Sequence, residues 1–216
     1  MTHRDHIRAT IRSVSERKAP PLVPELELAL VTSRSPWWTM HPDDLLRLGV
    51  PEPFWAFAWA GGQSLARFIL DNPSYVARKH VIDFGAGGGI VALAALKAGA
   101  LRVTATDIDP WALVACEENL NAYPWQVELS GEDWIGRTLP PGSILLLGDM
   151  SYERELCDKL IAWFEQLTDC TILVGDGGRG FVDQSRFIEL ARYRAPADSD
   201  SDGHYKVNAL VLLWKG

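Results

Sequence analysis

The alternation of short apolar runs with helix-like segments, from His80 onward, is the feature that most constrains how this chain can fold. Each run has the length of a strand, and the intervening segments carry apolar residues at helical spacing. Strands that alternate with helices form parallel sheets with helices on both faces. The last two runs have too little sequence between them for a helix and should pair antiparallel. The predicted strands are residues 80–84, 102–106, 126–129, 143–147, 171–174, 187–194 and 206–214.

The predicted fold class is therefore α/β, a Rossmann-like doubly wound seven-stranded sheet, mostly parallel with one antiparallel edge strand. We divide the chain into an N-terminal helical arm, residues 1–53, packed on a core domain, residues 54–216. Ile7, Ile11 and Val14 share one face of a helix in the arm, and the three prolines of residues 19–24 should end that helix. The acidic segment 197–203 is typical of a hairpin turn between the last two strands.

Composition excludes several classes of function. The 216 residues suit one large domain, and a net charge of −7 gives no global attraction to nucleic acid. No apolar run reaches the roughly 20 residues of a membrane helix. Cys116, Cys157 and Cys170 form no metal-binding spacing, so we predict no metal site and reduced thiols in a cytosol-like compartment.

A glycine-rich turn follows the first predicted strand, where ligands bind in open α/β sheets. Its pattern is Asp83-x-Gly85-Ala86-Gly87-x-Gly89, and Ile90 stands where a dinucleotide fingerprint requires its last glycine. Glycines let the backbone approach a ligand closely. The Asp83 carboxylate repels phosphate and suits a cationic group, such as the ammonium of S-adenosylmethionine. An oxidoreductase that uses NAD(P) is therefore disfavoured.

Acidic residues end the second predicted strand. Asp107, about 20 residues beyond the glycines, is placed to accept hydrogen bonds from ribose hydroxyls, with Ile108 beside it. Asp109 precedes Pro110, and we favour a helix N-cap for it. After the third strand, Asp133 and Trp134 are candidates for contacts with an adenine ring. A core position for Trp134 is equally compatible with the sequence.

Two further segments carry candidate site residues. Asp149 ends the fourth predicted strand, where an unpaired buried carboxylate would be costly, so we predict a functional role; the alternative is an N-cap of the next helix. The segment 54–63 contains four aromatic residues and ends in two glycines and Gln63. Such stripes usually lie in a core, but this one is unusual enough to suggest a ligand wall.

Taken together, these segments resemble the seven-strand S-adenosylmethionine-dependent methyltransferases. Within them the chain is similar to the lysine methyltransferases of the electron transfer flavoprotein β subunit. That family has a Trp-Trp pair, then P-[FY]-W-A-x-x-W-x-G-G-Q, L-D-N-P, D-x-G-x-G, N-D-I-D-P, L-G-D-M-F-Y-D and G-D-P-G-R. The corresponding segments here are residues 37–38, 53–63, 70–73, 83–89, 106–110, 147–153 and 175–179. The chain departs from the pattern at Ser151, Glu153 and Gly177, which bear on the acceptor pocket more than on the cofactor.

The resemblance implies a protein-lysine N-methyltransferase that uses S-adenosylmethionine and methylates the electron transfer flavoprotein β subunit. It implies that Asp149 and Tyr152 are the catalytic pair, with Asp149 holding the incoming ammonium. The implied cofactor-binding residues are Trp59, Gln63, Asp83, Gly85, Ala86, Gly87, Asp107, Ile108, Asp133 and Trp134.

Alternatives remain open from the sequence alone. One is a methyltransferase of a ribosomal protein or small molecule on the same fold. Another is a catalytically silent protein that uses exposed aromatic residues for interaction. We expect a monomer that binds neither nucleic acid nor membrane, in a bacterial cytoplasm rather than a mitochondrion, because the Arg-rich N-terminal segment also contains Asp5 and Glu16.

Overall fold

The computed structural model describes residues 2–197 and 205–216. The described residues include nine strands. The strands are β1 (Glu16–Lys18), β2 (Leu28–Leu30), β3 (His80–Phe84), β4 (Arg102–Thr106), β5 (Val127–Ser130), β6 (Ser143–Gly148), β7 (Cys170–Asp176), β8 (Phe187–Pro196) and β9 (Lys206–Trp214). Seven of them form one sheet in the spatial order β5-β4-β3-β6-β7-β9-β8. From β3, strands β4 and β5 continue toward one edge of the sheet, whereas β6 and β7 lie on the other side of β3. The strand order therefore reverses between β3 and β6, and open α/β sheets bind ligands at such a switch point.

The pairing confirms the predicted sheet. Strands β5, β4, β3, β6 and β7 are parallel neighbours, whereas β9 is antiparallel to both β7 and β8. The antiparallel strand therefore lies one position inside the edge, and β8 is outermost. The predicted hairpin turn falls, from residue 198 onward, outside the described residues.

The same described residues form six α-helices. They are α1 (His3–Val14), α2 (Pro42–Arg47), α3 (Ala60–Asp71), α4 (Ile90–Lys97), α5 (Pro110–Asn119) and α6 (Arg154–Phe164). The prediction that the prolines of residues 19–24 end the first helix was wrong. Helix α1 ends at Val14 because Ser15 is extended, and the chain then forms β1, which pairs antiparallel with β2.

The sheet is buried on both faces, as a doubly wound fold requires. Alternate residues of each central strand point to opposite sides: Val81 and Leu146 join one apolar cluster, and Ile82 and Leu145 join the other. Helices α3 and α4 contribute to the first cluster, and α6 contributes to the second. This double burial holds the carboxyl ends of β3 and β6 in a rigid frame.

The N-terminal segment packs on the rest of the protein through α5. Trp37 lies 6.4 Å from Trp55 and 6.0 Å from Trp111, measured between ring centroids. On the surface, Arg8 of α1 pairs with Glu117 and Glu118 of α5. The division of the chain at residue 53 stays a prediction, since these contacts join the two parts closely. Within the described residues, no helix combines the length and apolar character needed to cross a membrane.

Candidate functional site

The glycine turn links β3 to α4 through backbone that other residues adopt only at a cost. Gly85, Gly87 and Gly89 have φ angles of +65°, +52° and +81°. The turn also passes close to its neighbours: a Cβ atom on Gly88 would lie 2.7 Å from the carbonyl oxygen of Trp55. The Ala86 N–H donates to the carbonyl oxygen of Thr106 at 2.9 Å, which ties the turn to the end of β4.

Asp83 is a buried carboxylate beneath this turn, with 1% of its surface exposed. One of its oxygens accepts a hydrogen bond of 2.8 Å from the Ala92 N–H, at the start of α4. The pKa of Asp83 is raised to about 7, mainly by burial and to a smaller extent by the charge of Asp107, while the hydrogen bond from Ala92 acts in the opposite direction. No cation among the described residues pairs with it. Asp83 is therefore placed to receive a cationic group from a ligand.

Asp107 stands at the end of β4, beside the glycine turn. It accepts hydrogen bonds from the Gly87 N–H at 2.8 Å and from the Asp109 N–H at 3.0 Å, while burial raises its pKa. Ile108 is 75% exposed next to it. The predicted N-cap role of Asp109 is confirmed, because its side chain accepts from the Trp111 N–H at 2.8 Å.

The pair that follows β5 has mixed surroundings. Asp133 is exposed and accepts a hydrogen bond of 3.0 Å from the Ile135 N–H. Trp134 is half-buried against the second apolar cluster, and its indole N–H donates to the Ser130 hydroxyl at 3.0 Å. The guanidinium of Arg137 lies 5.4 Å from the centre of the ring. Trp134 therefore packs partly in the core, while Asp133 stays accessible.

Gln63 and Trp59, both predicted to contact the cofactor, have contacts within the protein. The Gln63 side chain is fully buried and bonded within the protein: its amide donates to the Ala58 carbonyl oxygen at 2.5 Å and accepts from the Leu22 N–H at 3.2 Å. Both ends of its amide are therefore engaged within the protein, and its contact with the cofactor stays a prediction. Trp59 is half-buried and contacts Arg179, whose guanidinium lies 5.7 Å from the ring centre.

Asp149 follows β6 and is buried at 6% exposure. Its φ angle of +63° is unusual for a residue other than glycine and marks a constrained position. One carboxylate oxygen accepts from the Gly61 N–H in the first turn of α3 at 2.6 Å, and the other pairs with Arg179. Burial raises the pKa of Asp149, and the charge of Arg179 opposes that rise. The alternative that Asp149 caps α6 was wrong, because Glu153 occupies the N-cap position.

Tyr152 is 48% exposed on the same side of the sheet. Burial raises its pKa, and the charges of Glu153 and Asp107 add to the rise. Ser151, where the resemblance has Phe, is buried and donates to the Asp176 carboxylate at 2.5 Å. Tyr152 is thus within electrostatic reach of the Asp107 carboxylate.

Three residues of the site received no individual role from the sequence. Met150 lies against the glycine turn, so that a Cβ atom on Gly85 would meet its sulfur at 2.2 Å. Asn119 donates to the Gly88 carbonyl oxygen at 2.8 Å, and its side-chain oxygen accepts from the Ala29 N–H at 2.8 Å. Arg179 belongs to a recognised motif, but its ion pair with Asp149 has no local sequence signal.

Comparison with known proteins identifies the family. The profile of the family Ribosomal protein L11 methyltransferase (PrmA) matches residues 66–132. An electron transfer flavoprotein β subunit lysine methyltransferase of Xenopus laevis is 41% identical over 209 residues, covering 92% of this chain and 82% of the relative. The Danio rerio protein of the same name is 37% identical, covering 90% and 76%. The chain belongs to this lysine methyltransferase family.

Several solved structures share the fold of this lysine methyltransferase. A provisionally assigned RNA methyltransferase of Pyrococcus horikoshii aligns with a TM-score of 0.53 at 14% identity, over 99% of this chain and 96% of the other. The 23S rRNA methyltransferase ErmE aligns with a TM-score of 0.52 at 16% identity, over 71% and 68%. At such low identity these likenesses concern the fold alone.

Proposed function

We propose that this protein transfers methyl groups from S-adenosylmethionine to lysine side chains of the electron transfer flavoprotein β subunit. The observation that carries the proposal is the pair of buried carboxylates at the ends of neighbouring parallel strands. Asp83 lies in β3 and Asp149 directly follows β6, on either side of the switch point. Relatives that carry this activity in their names align along nine-tenths of the chain.

The residues beside β3 and β4 fit the proposed cofactor. Asp83 is a buried carboxylate that pairs with no cation of the described residues, which matches an amino-acid ammonium group. Gly85, Ala86 and Gly87 would lie against the ligand, Asp107 and Ile108 beside its ribose, and Asp133 and Trp134 beside its adenine. When bound, S-adenosylmethionine supplies a sulfonium methyl group to a neutral amine and leaves as S-adenosylhomocysteine.

The residues beside β6 would act on the acceptor. A lysine with an ordinary pKa of about 10.4 must lose a proton, here to water, before it can attack. Asp149 alone favours the charged lysine, so we assign it to binding and orienting the incoming amine rather than to deprotonating it. Tyr152 lines the approach, and its aromatic face suits a methylated cation. Holding the amine in line with the methyl group then supplies much of the catalysis.

The test is methyl transfer from labelled S-adenosylmethionine to purified electron transfer flavoprotein, followed by mass spectrometry of the β subunit. Label on a β-subunit lysine is the expected result. Cofactor binding by calorimetry without any label on that subunit would contradict the proposed acceptor. The match to the L11 methyltransferase family is confined to residues 66–132, so it bears on the methyl donor and not on the acceptor.

We include in the proposal a monomer in a bacterial cytoplasm. The free thiols of Cys116, Cys157 and Cys170 support a reducing compartment. Sedimentation of the purified protein and fractionation of the source cells test these two points.

A further inference from the structure

Arg179 covers the carboxylate that the proposed function assigns to the acceptor amine. In the Asp149–Arg179 pair, 36% of the Arg179 side chain is exposed against 5% of the Asp149 side chain. The backbone of Gly177 closes another side, since a Cβ atom there would lie 2.7 Å from an Asp149 oxygen. The Gly61 N–H holds the remaining oxygen. Arg179 is thus the solvent-facing partner of an otherwise enclosed carboxylate.

The contacts of the guanidinium are those that a lysine ammonium would need. The guanidinium pairs with Asp149, and its central carbon lies 5.7 Å from the centre of the Trp59 ring. A cation bound between a buried carboxylate and an aromatic face gains from both. The Trp59 ring is held by Phe54 and Phe57 and by a 2.9 Å hydrogen bond from its indole N–H to the Phe54 carbonyl oxygen. The Asp149 carboxylate and the Trp59 ring are therefore both held in place as a surface for a cation.

The backbone around Arg179 is suited to movement. Gly178 and Gly180 both have φ angles of +79°, and all three residues are exposed. Gly178 is held by a 3.1 Å hydrogen bond from its N–H to the Asp176 carboxylate, whereas Gly180 has open space around it. The exposed Arg179 side chain can therefore swing outward with little change before it in the chain. Asp149, in contrast, lies at the end of a central strand and is held by Gly61.

We propose that Arg179 occupies the acceptor-amine subsite in the resting protein and that the acceptor lysine displaces it. This inference rests on the proposed function. Exchange of a guanidinium for an ammonium keeps the Asp149 carboxylate paired throughout, which avoids the large cost of a buried single charge. The subsite thereby selects a cationic side chain and excludes neutral acceptors.

The competing interpretation is that Arg179 only positions Asp149 for catalysis. The two interpretations predict opposite signs at high pH. A displaced competitor hinders the acceptor, so its removal raises kcat/KM, whereas loss of a positioning residue lowers kcat/KM at every pH. The charges that act on Asp149 are that of Arg179, which lowers its pKa, and that of Asp176, which raises it.

The first measurement compares kcat/KM of Arg179→Ala and wild type on electron transfer flavoprotein from pH 6 to pH 8.5. We expect about a fivefold gain at pH 8.5, because the ion pair between Arg179 and Asp149 no longer has to break. We expect a smaller gain at pH 6, because burial raises the pKa of Asp149 and the variant lacks the charge that opposes that rise. A lower kcat/KM for the variant at both ends of the range would overturn the proposal.

Arg186→Ala is the matched control. Arg186 also pairs with a carboxylate, Glu165, and its guanidinium carbon lies 4.7 Å from the centre of a tryptophan ring, Trp214. This variant loses the same kind of contacts and should match wild type at every pH. A gain in the control equal to that of Arg179→Ala would likewise overturn the proposal.

A second measurement needs no methyl transfer, so its result is separate from the fate of the proposed function. Butylammonium chloride is titrated into each protein at pH 8.5 while the indole N–H resonance of Trp59, assigned with Trp59→Phe, is followed by NMR. We expect Arg179→Ala to bind the alkylammonium at least fivefold more tightly than wild type. Equal affinity would show that Arg179 does not hold the subsite. Absence of label on the flavoprotein with wild type would instead contradict the proposed function alone.

Discussion

Asp83 and Asp149 are both buried carboxylates at the ends of neighbouring strands, yet their surroundings differ in one respect. Asp83 meets no cation among the described residues, and burial raises its pKa to about 7. Asp149 pairs with Arg179, whose charge opposes the effect of burial on its pKa. Under the proposed function, the cofactor side would therefore depend on the ligand for its positive charge, whereas the acceptor side already carries that of Arg179. Asp83 would then bind a cation, and Asp149 would exchange one cation for another.

The largest expected effect follows from loss of the acceptor-side charge. Asp149→Asn keeps the shape of the side chain, and asparagine tolerates the positive φ angle at this position. We expect kcat to fall about 100-fold or more because the amine is no longer held in line. Cofactor affinity, measured by calorimetry, should stay within about threefold of wild type. Retained turnover in this variant would contradict the proposed role of Asp149 in holding the acceptor amine.

Loss of the cofactor-side charge should have the next largest effect. In Asp83→Asn the side-chain oxygen still accepts from the Ala92 N–H, but the charged hydrogen bond to an ammonium is lost. Such bonds contribute about 1.5–3 kcal/mol, so we expect about 10- to 150-fold weaker binding of S-adenosylmethionine. The same variant should unfold at a higher temperature than wild type at pH 8 without ligand, because a buried, unpaired charge is removed. Unchanged cofactor affinity would contradict the comparison.

The stability of the protein should depend on pH through Asp83. A carboxyl whose pKa is higher in the folded state stabilises the fold at low pH, and that contribution is lost as the pH rises through about 7. The difference in stability between wild type and Asp83→Asn should therefore grow from pH 4 to about 7 and then remain level.

Cofactor binding should show the opposite trend, since an ammonium group needs the ionised Asp83. Affinity of wild type should rise about tenfold between pH 5.5 and 7 and then level off, as followed by calorimetry. Asp83→Asn should show no such rise. A rise of equal size in the variant would assign the titration to another group.

The smallest effect is expected at Asn119, which ties the glycine turn to β2. Asn119→Ala leaves the Gly88 carbonyl oxygen and the Ala29 N–H without this partner, at a cost of about 1–3 kcal/mol in stability. Denaturant unfolding measures that loss. Cofactor affinity should fall severalfold while the KM for the protein substrate stays unchanged, since only the cofactor side is disturbed. Asn121→Ala, at an exposed position two residues later, is the control.

The sequence predicted the sheet well because its signals are local. Apolar runs of strand length and helical spacing marked the seven strands and the main helices. It missed the β1–β2 hairpin, since three-residue strands carry no recognisable period. It also did not show that the buried Gln63 amide bonds to Ala58 and to Leu22 of the N-terminal segment. That partner is 41 residues away in the chain, so no local pattern could reveal it.

The sequence by itself determined the order of strands and helices, the glycine turn and the placement of acids at strand ends. These features depend on residues close together in the chain and on the rule that parallel strands end at one edge. The tertiary structure alone decided which charges each acid meets. Arg179 and Gly61 reach Asp149 from 30 and 88 residues away, and within the described part of the chain no cation pairs with Asp83. Electrostatic partners are set by distance in space, which the fold establishes only after the strands are paired.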